Sequence, residues 1–166
     1  KGIPNVPNPA RAYNNFSKQF PDFLSQSQAI ELEQKLVKFE KETSNEIVVV
    51  VIDDLSGDEP WSFATELGEK WGVGKEKEDN GIVILIKPTG GKGQKKTFIA
   101  TGEGLGGVIP DFICKEIVDN EMIPNFKNKK YFEGISKALV ILSDLSKGEY
   151  DFKDYQRKNN ETTLQD

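Results

Sequence analysis

The sequence predicts an α/β sandwich around a small mixed sheet, and three runs of residues predict it. Glu46–Ile52 reads EIVVVVI, and continuous rather than alternating hydrophobicity marks a strand covered on both faces. A helical stretch over Glu59–Trp71 separates it from a second run, Ile82–Lys87, so a right-handed parallel crossover is expected between them. A third run, Lys96–Thr101, follows a turn punctuated by Pro88, Gly90, Gly91 and Gly93, and should return antiparallel.

The other elements follow in order. Residues 1–24 carry Pro4, Pro7, Pro9 and Pro21 and no helical or strand period, so they read as an extended arm with Phe16, Phe20 and Phe23 available for docking. Ser25 with Gln28 makes a capping box for a helix over Gln26–Thr43, whose apolar face is expected from Ile30, Leu36, Val37 and Phe39. In the second helix Trp61, Ala64, Gly68 and Trp71 fall on one stripe, and WGVGKEKEDN then reads as a charged, mobile connection. Ile109–Met122 is expected to be helical, with Pro110 tolerated in its first turn and Pro124 breaking it. A last helix over Lys130–Ser146 has Tyr131, Ile135, Leu139 and Leu142 as its seam and Gly148 as its cap. Residues 149–166 form a polar, loose tail or linker, which leaves 25–148 as the domain.

Composition excludes several function classes. The net charge is −5 with no basic stripe, which argues against nucleic acid and suits cations. Absence of histidine removes Ser-His-Asp and Cys-His catalysis and imidazole metal sites. The single cysteine, Cys114, has no disulfide partner within the chain and reads as a packed thiol. No apolar run is long enough to span a membrane. Lys1 begins abruptly, so a removed leader is expected, with an apolar stretch of about 20 residues after Asp166.

The stretch Asp79–Asp111 holds most of the candidate chemistry. Gly102, Gly104, Gly106 and Gly107 allow tight turns or close approach to a bound group. The GxGxxG pattern beginning at Gly102 lies between strand and helix, but a helix follows where a dinucleotide fold needs a parallel strand with an acidic residue. GGKGQKKT has the wrong spacing for a phosphate-binding loop and joins strand to strand. Asp53-Asp54 ends the first strand, where open α/β sheets tend to bind ligands, so Asp54 could face Asp111 and the glycine loop across one crevice. Clustered carboxylates there would take Ca²⁺ or Mg²⁺. The alternative, that these aspartates cap helices and turns, is equally open from the residues.

NEIVVVVIDDLSG, the WGVG turn, DNGIVILI, ATGEGLGGVIPD and IPNFKNKKYFEGI together resemble the TPM domain family over roughly residues 13–150. The resemblance implies a three-layer α/β/α sandwich, exported to the periplasm or beyond and often membrane-anchored. Some members are acid phosphatases or divalent-cation binders; others assist assembly or repair of membrane complexes. Its family-like positions are Asp54, Asp79, Asn80, Gly102, Gly104, Gly106 and Asp111, with Glu103 where an aromatic is common. It implies Asp54, Asp79, Asn80 and Asp111 as ligands of Ca²⁺ or Mg²⁺, with the three glycines holding the loop against the bound group. A non-catalytic module at a membrane complex is the leading expectation. A metal-assisted phosphatase using Asp54 is the alternative.

Overall fold

A computed structural model describes residues 2–165, with side chains to Glu161. The central sheet has four strands in spatial order β1-β2-β3-β4: β1 Tyr13–Asn15, β2 Glu46–Val51, β3 Gly81–Lys87 and β4 Lys96–Thr101. β1 and β3 run parallel to β2, and β4 returns antiparallel to β3. The near-continuous β-branched runs are explained by the layers: β2 is buried along Ile47–Val51 and β3 along Gly81–Ile86, because both sheet faces are covered.

α1 (Gln26–Thr43), α3 (Asp111–Ile117), a π-helical turn at Val118–Met122, α4 (Ile123–Lys127) and α5 (Tyr131–Lys147) cover one face. α2 (Pro60–Trp71) covers the other, packing Phe63, Ala64 and Leu67 on Val48, Val50, Val83 and Leu85. The result is a three-layer α/β/α sandwich. Ser25 and Gln28 form the capping box on α1, and Gly148 closes α5 in the left-handed conformation. Among the described residues no helix is long and apolar enough to cross a membrane.

Several sequence expectations are corrected. The arm contributes a strand: Glu33 of α1 accepts the backbone N–H groups of Ala12 and Tyr13 at 2.9 and 2.8 Å, holding β1 against β2. The buried face of α1 is Leu32, Leu36 and Phe39, whereas Ile30 and Val37 are exposed. Trp61 likewise points outward while Phe63 and Leu67 are buried. Pro124 does not end its helix. It sits in the first turn of α4 directly after the π-helical turn, whose widened bonding accommodates the N–H that proline lacks. The segment after Gly148 carries a further helix in place of a loose tail. α6 (Phe152–Gln165) buries Tyr155, stands Phe152 edge-on to Phe112, and donates from the Tyr155 hydroxyl to Glu121 at 2.8 Å.

Asp53 shows how a strand end is tied down. Its carboxylate accepts from the Ser17 hydroxyl at 2.5 Å and from the backbone N–H of Lys18 and Gln19 at 2.8 and 3.3 Å. Partial desolvation pushes its acidity the other way, but these donors and the Lys18 charge hold the carboxyl below its ordinary range. A depressed folded pKa means a contribution fully present above the unfolded carboxylate pKa and lost as pH falls through the folded value. Asp53→Asn is therefore expected to lower stability by about 1 kcal/mol at neutral pH. The difference from wild type should shrink in acid; urea unfolding at several pH values reads this directly.

Candidate functional site

Strand register decides which predicted residues meet. Glu46 lies opposite Gly81 and Val51 opposite Ile86. Asp54 therefore follows the C-terminal end of β2, whereas Asp79 and Asn80 precede β3 at the other end of the sheet. Five residue steps of strand, roughly 16 Å, lie between those ends. The antiparallel return of β4 places Thr101 beside Ile82, so the glycine loop joins Asp79 and Asn80 and not Asp54. The single crevice expected from Asp54, Asp79, Asn80 and Asp111 is not assembled.

Each of the four is placed by local needs. Asp54 is exposed and accepts from the Ser56 N–H at 2.9 Å, a turn of its own. Asp111 is exposed in the first turn of α3 and lines an adjoining groove with Trp61 and Phe112. Asn80 is buried and works as a three-way tie. Its amide oxygen accepts from Lys75 N–H at 2.8 Å, and its NH₂ donates to the Ser44 carbonyl at 2.7 Å and to Asn45 Oδ1 at 3.2 Å. Asp79 adopts a positive φ of 46° and accepts from Glu103 N–H at 3.0 Å, while its carbonyl accepts from Gly104 N–H at 3.0 Å.

The glycines serve this knot. A Cβ on Gly102 would collide with the Asp79 carbonyl, and one on Gly104 with the Glu78 carbonyl. Both residues are therefore required by backbone packing. Gly106 lies in ordinary right-handed backbone at the end of a single 3₁₀ turn, Glu103–Leu105, which drives Leu105 into the core. Gly74 (φ 88°) and Gly81 press against each other in the same way, and Glu46 accepts the Gly74 N–H at 2.8 Å.

These close approaches enclose a crevice of about 620 Å³ between α2, the 72–76 turn and the start of the glycine loop. Gly68, Gly72, Gly74, Gly81 and Gly102 line it, and Glu69, Glu76, Asp79 and Glu103 stand around it with Lys75 as the opposing charge. Of the residues predicted as ligands, Asp79 alone lines it. Glu69 and Glu76 lie in stretches that sequence reasoning treated as helix surface and charged connection; only the acidic density of KEKED hinted at them.

Carboxylates outnumber ammonium groups along the crevice, but it is not a preformed metal cage. Among the described residues no three carboxylate or thiolate side chains converge on a point that could hold a metal ion. The expected Asp54, Asp79, Asn80 and Asp111 set does not fit a bound Ca²⁺ or Mg²⁺, because register holds Asp54 at the far end of the sheet, Asp111 does not line the crevice, and Asn80 is bonded on both ends of its amide. Cys114 is buried, and burial, reinforced by Asp111 and only partly opposed by the Thr101 hydroxyl, pushes its thiol up to about 12.

Comparison with known proteins agrees with this architecture. The N-terminal domain of a P. gingivalis protein, solved by solution NMR, is 26% identical over 84% of this chain and 83% of its own, with a TM-score of 0.69. The BA42 protein from the psychrophilic bacterium Bizionia argentinensis shares 18% identity over 81% of this chain and 89% of its own, at a TM-score of 0.65. The N-terminal domain of the cg2496 protein from Corynebacterium glutamicum shares 11% over 84% and 80%, at 0.58. At such identities the last two bear on the fold alone. No protein of curated function matches the chain. The sequence model of the TPM domain matches residues 17–145, most of the sandwich described above, and the chain belongs to the TPM domain family.

Proposed function

We infer that this TPM domain is a non-catalytic binding module whose working surface is the crevice beside Asp79, and whose ligand is cationic. One observation carries the reading: four carboxylates, Glu69, Glu76, Asp79 and Glu103, surround a glycine-lined crevice against the single ammonium of Lys75. A rim of separated carboxylates attracts positive charge through their summed field. That suits a Ca²⁺ or Mg²⁺ ion retaining part of its water shell, or the ammonium of a partner's side chain. The placement of the module outside the cytoplasm, assisting assembly at a membrane complex, is supported by the family resemblance.

Mass action gives the test. Chelator-treated protein should melt at rising temperature as Ca²⁺ or Mg²⁺ is added through the millimolar range, and a lysine-containing peptide should compete. Replacing Glu76 by Gln and Glu103 by Gln together should flatten that rise. An unchanged melting temperature with both probes would remove the cationic ligand. Turnover of an activated aryl phosphate is expected to be absent. Metal-dependent turnover that vanishes in Asp54→Ala would instead make the domain a phosphatase.

A further inference from the structure

Asn80–Gly81 is the one asparagine–glycine step in the sequence, and it sits in the knot beside the crevice. Glycine after asparagine permits a reaction that larger neighbours hinder. With no Cβ in the way, the glycine nitrogen reaches the side-chain carbonyl carbon of the asparagine. The Gly81 N–H gives its proton to water or hydroxide, the nitrogen bonds to Asn80 Cγ, and the side-chain nitrogen leaves as ammonia. Water then opens the resulting succinimide at either carbonyl. One opening gives aspartate at position 80. The other gives isoaspartate, in which the main chain runs through the former side chain and is longer by a carbon.

The folded protein obstructs each of these steps. Asn80 is only 6% exposed and Gly81 is buried, so water and hydroxide are kept from both. Attack requires the amide to turn over the Gly81 nitrogen, yet both ends of that amide are engaged. Oδ1 accepts from Lys75 N–H at 2.8 Å, and departure of the NH₂ breaks its bonds to the Ser44 carbonyl at 2.7 Å and to Asn45 Oδ1 at 3.2 Å. The Gly81 backbone is clamped as well. A Cβ on Gly81 would strike the Val73 carbonyl, and one on Gly74 would strike the Gly81 nitrogen. The Gly81 carbonyl accepts Gly102 N–H at 2.9 Å.

Neither product fits where the asparagine was. Aspartate sets a carboxylate oxygen against the two acceptors on residues 44 and 45 in place of a donor. Isoaspartate adds a backbone carbon where Val73 and Gly74 leave no room for a methyl group. Either change loosens the wall that Gly74, Asp79 and Gly81 give the crevice.

We propose that Asn80 is a deamidation site gated by the fold, inert while the knot is closed and reactive whenever it opens. Reclosing outpaces this slow chemistry, so the native rate is the unfolded-chain rate multiplied by the fraction of time the knot is open. Chemical modification of the opened state is not undone on closing. The pair is therefore a one-way timer that retires the crevice after enough openings, whatever ligand the crevice takes.

Peptide mass spectrometry tests this on protein aged in native buffer and in guanidinium chloride at the same mildly alkaline pH, with fragmentation that separates aspartate from isoaspartate. In guanidinium Asn80 should be the first of the asparagines to convert. In native buffer its conversion should be at least about a hundredfold slower. Asn45→Ala removes one acceptor of the Asn80 amide and should speed native-state conversion about fivefold, the opening equivalent of one hydrogen bond, with the rate in guanidinium unchanged. Chains converted in guanidinium, separated by the charge they gain and returned to buffer, should melt well below unconverted chains from the same sample. Equal rates in the two media, or another asparagine converting first in guanidinium, would overturn the proposal. So would a native-state rate that Asn45→Ala leaves unchanged, or converted chains that melt like wild type.

Discussion

Asn80→Asp is expected to destabilise the fold by about 3 kcal/mol at neutral pH, a fall of roughly 10 °C in Tm. The substitution is nearly isosteric and keeps the acceptor for Lys75 N–H. It replaces the NH₂ group that donates to Ser44 O and Asn45 Oδ1 with an oxygen facing two other oxygens in a buried position. Lys75 Nζ, 3.2 Å from the same Ser44 carbonyl, offsets part of the new charge. Burial of a carboxylate among acceptors raises its folded pKa, so the destabilisation grows as pH climbs through that value and is relieved in acid, where the protonated group donates again. Urea unfolding across pH reads both magnitude and sign. A loss below 1 kcal/mol, or no recovery in acid, would remove Asn80 as the tie beneath the crevice.

Gly104→Ala should cost about 3 kcal/mol, whereas Gly107→Ala, three residues on in the same loop, should be neutral or slightly stabilising. The added methyl at position 104 meets the carbonyl of Glu78 and comes within 3.0 Å of the Asp79 carbonyl, backbone on both counts. At position 107 it meets nothing within 4 Å. A loop whose glycines exist to admit a ligand would make both changes cheap in the free protein and damaging only to binding. Thermal melts of the two variants without added ligand separate these cases.

The central frame was legible because burial on both faces imposes a strong pattern. EIVVVVI and GIVILI could only be inner strands, Ser25–Gln28 a helix start, and Gly148 a helix end. What failed depended on distant partners. β1 is three residues of YNN, with no pattern of its own, and exists because Glu33 and β2 supply its hydrogen bonds. Ile30 and Val37 had the right chemistry for a core, yet the sheet meets the Leu32–Leu36–Phe39 stripe. Pro124 ended a helix on paper, and a π-helical turn carried the chain past it.

The site was half legible for the same reason. Asp79, Asn80 and the glycine loop are neighbours through a strand pair that the sequence announces. Pairing Asp54 with them required knowing which end of β2 the loop reaches, and the parallel register places it at the wrong end. Glu69 and Glu76 join the rim only because α2 and the 72–76 turn fold beside the glycine loop.

The most direct test of the crevice is a residue-by-residue NMR titration of chelator-treated protein with Ca²⁺ and Mg²⁺. Amides of Gly72–Glu76, Asp79, Gly81, Gly102 and Glu103 should move together and saturate in the millimolar range, while Asp54 and Ser56 at the far end of the sheet stay fixed. Shifts centred on Asp54–Ser56, or a spectrum unchanged at millimolar metal and equally unchanged by a lysine-containing peptide, would contradict the crevice as the working surface.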